Sequence, residues 1–308
     1  MSVAEVIYLA AVETMTVDVA PAHWSRRRLS LLGQSHRHLD RIISPVFAGG
    51  LIDIGRPLAV VGAALLLLLP ALVATLRSGA AADAPRPTRT AASGLSARET
   101  WRFITDRADL RYLLAFGAWS NLAVSPVLAM LPLWYAELLE PGPITAVWSS
   151  RALAAYAVGM LAGGAVIAAR RTEPSDRRAL LQATAAHLLI CATLAGAAVL
   201  ASPWLPVVAL LVSGALFAVL VAAGGQAWLN AAPPASRARI LSMKRLIAFS
   251  TIPLGTALMP PVGEWLGYRP ATALLAALSA ILTLLSLTLW SRSADRKPHP
   301  ALTDSPAS

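Results

Sequence analysis

Apolar residues gather in nine stretches, each close to the ~20 residues a helix needs to cross a bilayer. Their approximate spans are 2–21, 34–54, 57–77, 111–138, 145–169, 179–200, 204–231, 240–262 and 270–291. The first is the weakest, because Glu5, Glu13 and Asp18 interrupt it; the third holds the run Leu65–Leu69. Between the third and fourth lies a long polar gap. Its first part, with Pro85, Pro87 and Gly94, reads as a flexible linker. Its second part, Ser96–Arg107, places Trp101, Phe103 and Ile104 among charges and predicts an amphipathic helix lying flat on the membrane surface. Ser96 followed by Glu99 fits a capping box at its start.

The gaps between stretches alternate in charge. Arg26–Arg28, the Arg77–Arg111 region, Arg170 to Arg178, Arg237 to Arg245, and Arg292 to Lys297 fill every second one. Only Arg56, Arg151 and Arg269 fall on the other side, so 23 of the 26 basic residues share one side. Short loops that stay in the cytoplasm tolerate Lys and Arg, and translocated ones are depleted of them. The alternation predicts a multi-pass membrane protein with a cytoplasmic C-terminus. Trp134, Trp148, Trp204, Trp228, Trp265 and Trp290 fall near predicted helix ends, as an aromatic belt would.

Composition agrees. Hydrophobic residues make up 56% and charged ones 14%, where a soluble domain carries about 25% charged residues. A net charge of +10 would suggest nucleic acid in a soluble protein. Here the charge sits at helix ends and in loops, which points to anionic lipid and away from nucleic acid. The single Cys191 excludes an internal disulfide and a cysteine metal cluster. No phosphate-cradling GxxxxGK[ST] loop occurs, and no hydrolase, kinase or redox constellation, so neither an enzyme nor a cofactor is expected.

The chain also repeats itself. Arg26 to Pro57 and Arg239 to Pro270 each run from a basic cluster through one helix to an Arg-Pro pair, and a strongly apolar helix follows each. Several stretches then carry a resemblance: LSARETWRFI at 95–104 with ADLRYLL at 108–114, YAVGMLAGG at 156–164, SRARILS at 236–242, and IPLG at 252–255. Taken in order they resemble the major facilitator superfamily, closest to its drug and siderophore exporters. The resemblance implies an all-α fold of two parallel six-helix halves. Mapped onto it, 1–77 is a partial N-terminal bundle of three helices, equivalent to the family's fourth to sixth. Residues 78–108 are a linker, 109–291 a complete six-helix half, and 292–308 a polar tail. About nine spans are therefore expected, three plus six, with the family's first three lacking. The family's loop signature Gly-x-x-x-Asp-Arg-x-Gly-Arg-Arg also departs, since its acidic position falls on Ala168.

Polar groups inside spans are costly and draw attention to function. Asn121 lies mid-span, as either a substrate contact or an interhelical hydrogen bond. Gln226 is a second cavity candidate, with Asn230 a turn further on at the interface. Arg151 either snorkels to the outer interface or meets an acid or anion in the cavity, and Glu137 is the nearest acid in sequence. His187 either titrates or is a packed, hydrogen-bonded histidine. Glu13 is the best carboxylate for proton coupling, and Asp53 reads as interfacial. Gly159, Gly163 and Gly164 read as a close helix contact.

The resemblance implies proton-coupled efflux of a small apolar molecule by alternating access, with the lipid bilayer, that molecule and protons as partners. The alternative expectation is a truncated, transport-inactive remnant or a membrane interaction protein.

Overall fold

A computed structural model describes residues 96–170, 174–233 and 236–294. The three expected spans before residue 78, with Glu13, Asp53 and the Arg56–Pro57 half of the repeat, lie outside the described residues, as do most of the linker and the tail from 295. The described residues are all-helical: α1 (Ala97–Asp106), α2 (Ala108–Ala129), α3 (Leu131–Leu138), α4 (Pro143–Ala169), α5 (Asp176–Val199), α6 (Trp204–Ala231), α7 (Arg237–Leu266) and α8 (Tyr268–Ala294). Joined, α2 and α3 form one span, so six helices are long and apolar enough to cross a membrane. These are the six stretches expected after the linker.

Most spans start two or three residues before the expected position, and three differences stand out. The 111–138 stretch is interrupted at Met130, which leaves the helical region (φ −101°, ψ 9°) between Pro126 and Pro132. Each proline removes a backbone donor and crowds the preceding turn. α7 begins at Arg237, before the expected 240, and runs past 262 to Leu266, where Gly267 takes φ +91° and ends it. α8 runs past 291 to Ala294. α1 has the expected cap: Ser96 Oγ accepts from the Glu99 backbone N–H (3.2 Å), and Glu99 Oε2 accepts from the Ser96 N–H (2.6 Å). Its buried face, Thr100 and Ile104, rests on the bundle against α2 and α7.

Short connections make successive spans antiparallel. The starts of α2, α5 and α7 and the ends of α4, α6 and α8 therefore share one end, which carries Arg107, Arg111, Arg170, Arg177, Arg178, Arg237, Arg239 and Arg292. Side by side, the spans run α4, α6, α5, α8, α2, α7, with α7 also touching α8. Apolar surface gains little by leaving lipid for protein, so helices in membranes associate through close packing and hydrogen bonds. Both devices occur here, in different places.

Candidate functional site

The α4–α6 seam is built on absent side chains. A Cβ on Gly159 would meet the Leu211 carbonyl, one on Gly163 the Ala215 backbone, and one on Gly214 the Tyr156 carbonyl. Backbone therefore touches backbone. A Cβ on Gly164 would meet nothing within 4 Å, so of the three expected glycines two make the contact.

The seams around α2 are polar. Asn121 Nδ2 donates to the Ala248 carbonyl of α7 (2.8 Å), and the Thr251 hydroxyl of α7 is shared between that same carbonyl (2.8 Å) and the Ala118 carbonyl of α2 (3.0 Å). The two bonds cross-link α2 and α7 in opposite directions. One turn on, Gly255 of α7 lies against Pro126 and Leu122. α7 carries Pro253, Pro260 and Pro261 in its interior, so both members of this pair have proline-interrupted backbone ladders. Of the two readings for Asn121, the interhelical bond is the contact its amide makes.

His187 is fully buried between α5, α2 and α8. Ser279 Oγ donates to the Trp119 carbonyl (2.7 Å), so it accepts from His187 Nε2–H at 2.9 Å. That order places a proton on Nε2. Phe116 sits edge-on to the imidazole, with centroids 5.6 Å apart, and Cys191 Sγ lies 3.5 Å from Nε2. His187 Nδ1 is buried with no partner among the described residues. Trp119 is held a second time by its indole N–H to Ser286 Oγ (3.2 Å), and Tyr112 hydroxyl pairs with Thr184 across α2 and α5. Sequence reasoning found His187 but missed Ser279, Trp119, Thr251 and Ser286. A signal existed: Thr272, Ser279 and Ser286 recur at the seven-residue spacing of one helix face.

The other candidates stand apart. Gln226 is buried near the arginine-rich end of α6, and its Nε2 donates to the Pro174 carbonyl (3.1 Å) in the connection before α5. Asn230 donates to Asp176 (2.7 Å) at that same end. Arg151 is exposed on α4, its guanidinium 5.0 Å from the Trp148 ring centroid, and Trp148 stands edge-on to Trp204. Glu137 is not its partner. Its carboxylate accepts the Tyr268 N–H and the Arg269 N–H (3.0 Å) at the start of α8, where a negative charge suits the helix dipole. Arg269 caps the last turn of α5 through the Ala198 (3.2 Å) and Val199 (3.1 Å) carbonyls.

The structure thus brings Asn121 and His187 to two flanks of α2 and leaves Gln226 and Arg151 elsewhere. No group of three or more His, Cys, Asp or Glu side chains able to hold a metal occurs among the described residues. No protein-family model matches the chain, and no curated protein matches it either.

Proposed function

We propose that the chain is a secondary active transporter of the major facilitator type, exporting a small apolar molecule by alternating access in exchange for protons. In this reading α2 to α8 are the family's complete C-terminal half. The three apolar stretches before residue 78 bring the total to nine spans, in a bacterial inner membrane with the C-terminus in the cytoplasm. The observation that carries it is the interrupted first span, α2–α3, packed on the proline-bearing α7. Transporters place binding sites and moving parts at such discontinuous helices. Asn121 lies on this pair and is half-buried, so it can meet a substrate beside its bond to Ala248. Glu13 is the carboxylate assigned to proton coupling.

A second reading, a membrane interaction protein without transport, is favoured by the satisfied state of the buried donors. The amides of Asn121 and Gln226 and the His187 Nε2–H all have acceptors within the bundle. Proteoliposomes with an internal pH dye separate the two. Substrate-dependent proton movement that Glu13→Gln abolishes is the expected result. Absence of flux across a panel of apolar compounds, with folded protein in the bilayer, leaves the interaction reading.

A further inference from the structure

At the arginine-rich end, a cavity of about 510 Å³ opens between the starts of α2 and α5 and the ends of α6 and α8. Its rim carries two arginines and two aspartates: Arg107 and Asp109 from α2, Asp176 and Arg177 from α5. Arg107 donates from Nε and Nη2 to Asp109 (3.2 and 2.6 Å) and from Nη1 to the Ala231 carbonyl (3.4 Å), which leaves one N–H on each Nη, and Asp176 accepts from Asn230 at 2.7 Å. Arg177 makes no hydrogen bond or ion pair among the described residues. One to two turns deeper the wall is Leu113, Leu180 and Trp290. α5 and α8 also carry the exposed leucines Leu181, Leu285 and Leu289.

This gradient, charged at the helix ends and apolar toward the span centre, matches a phospholipid standing in its leaflet. The charge balance selects the headgroup. A net-anionic head would meet two carboxylates, and a choline ammonium has no N–H to give them. A phosphoethanolamine head offers both halves of the match, a phosphate for arginine and a primary ammonium for aspartate, each bond charge-assisted. Basic pockets between spans recur as sites for anionic lipid heads; this one is balanced, two arginines against two aspartates, which suits a zwitterion.

We propose that this cavity binds one phospholipid through a phosphoethanolamine headgroup, with Arg177 and Arg107 on the phosphate and Asp176 on the ammonium. The proposal is independent of the transport reading. The test is native mass spectrometry of the full chain titrated with phosphatidylethanolamine, phosphatidylcholine and phosphatidylglycerol of identical acyl chains. One ethanolamine lipid is expected to bind about fivefold tighter than either other lipid, and Arg177→Gln to remove about that factor. Asp176→Asn should erase the preference for ethanolamine over choline. Arg292→Gln, outside the cavity lining, should change neither. Should Arg177→Gln fail to fold by circular dichroism, the ethanolamine-to-choline ratio in Asp176→Asn decides alone. Equal binding of the three lipids, or variants that bind like the parent, would reduce this to ordinary boundary lipid and overturn the site. Competition by soluble glycerophosphoethanolamine at matching concentration would assign it to a soluble zwitterion and overturn the lipid.

Discussion

The bundle has two kinds of seam, and they solve one problem in opposite ways. Between α4 and α6, glycines let backbone lie on backbone, with the Trp148–Trp204 and Tyr156–Phe217 ring pairs across the same seam. Around α2, Thr251 of α7 and Ser279 of α8 reach across to its carbonyls, Asn121 of α2 reaches the Ala248 carbonyl of α7, and Ser279 collects the His187 N–H of α5. The dry seam leaves no room for a Cβ at Gly159, Gly163 or Gly214. The wet seam is a set of separate bonds, each modest, that can open one at a time. Rigidity is thus concentrated on one flank, while the interrupted helices α2–α3 and α7 share the other.

The largest effect that sharpens this contrast is steric. Gly159→Ala puts a methyl group against the Leu211 carbonyl, which belongs to a helix backbone and has nowhere to move. At a contact this close to helix backbone, overpacking costs about 3 kcal/mol or more, against a gain of about 1 kcal/mol in helix propensity. Gly164→Ala, on the same helix but facing open space, should keep only the gain. Thermal unfolding in detergent should therefore move in opposite directions for the two variants. Equal shifts would show that the seam is not close-packed.

Next comes Ser279→Ala. It strands the His187 Nε2–H and takes the donor from the Trp119 carbonyl, for a loss of about 1–2 kcal/mol. Asn121→Ala and Thr251→Ala each remove one bond between α2 and α7, and such bonds in membranes average about 0.6 kcal/mol. The same unfolding measurement ranks them, and because both groups meet the Ala248 carbonyl the double variant should depart from the sum. A single replacement in the wet seam as damaging as Gly159→Ala would break the comparison.

Much of this was legible in the sequence, for a physical reason. Length, apolarity and loop charge are strong constraints in a membrane, and they placed 204–231 where α6 runs from Trp204 to Ala231. The capping box at Ser96 is a local motif and was equally readable. Partner identity was not. Glu137 is near Arg151 in sequence, yet it caps α8, because the α7–α8 turn at Gly267 brings two backbone N–H groups to it. His187 stood out as a lone polar residue, but Ser279 did not, since a serine in an apolar helix ordinarily bonds its own preceding turn. The glycines at 159 and 163 were legible as a contact, and their partner surface on α6 was not.

The smallest effect lies outside both seams, at α1, and it tests whether the wet seam is insensitive to pH. The Ser96 backbone N–H, then the Ser96 hydroxyl, and then Arg239 and Arg102 hold the Glu99 carboxyl below its ordinary value of 4.5. A depressed folded-state value means that ionised Glu99 favours the capped helix above pH 4.5, and that this contribution fades as pH falls through the folded value. Hydrogen exchange at the amides of residues 97–106 should therefore speed up below pH 4.5 relative to Glu99→Gln, whose amide keeps an acceptor and has no such titration. The α2–α7 cross-link is made of an amide, a hydroxyl and two carbonyls, none of which titrates there. Protection of residues 118–122 should stay flat over the same range. If both regions open together, the stability of α1 and that of the wet seam are one quantity, and the capped helix is the clamp on α2 and α7 that its buried Ile104 allows it to be.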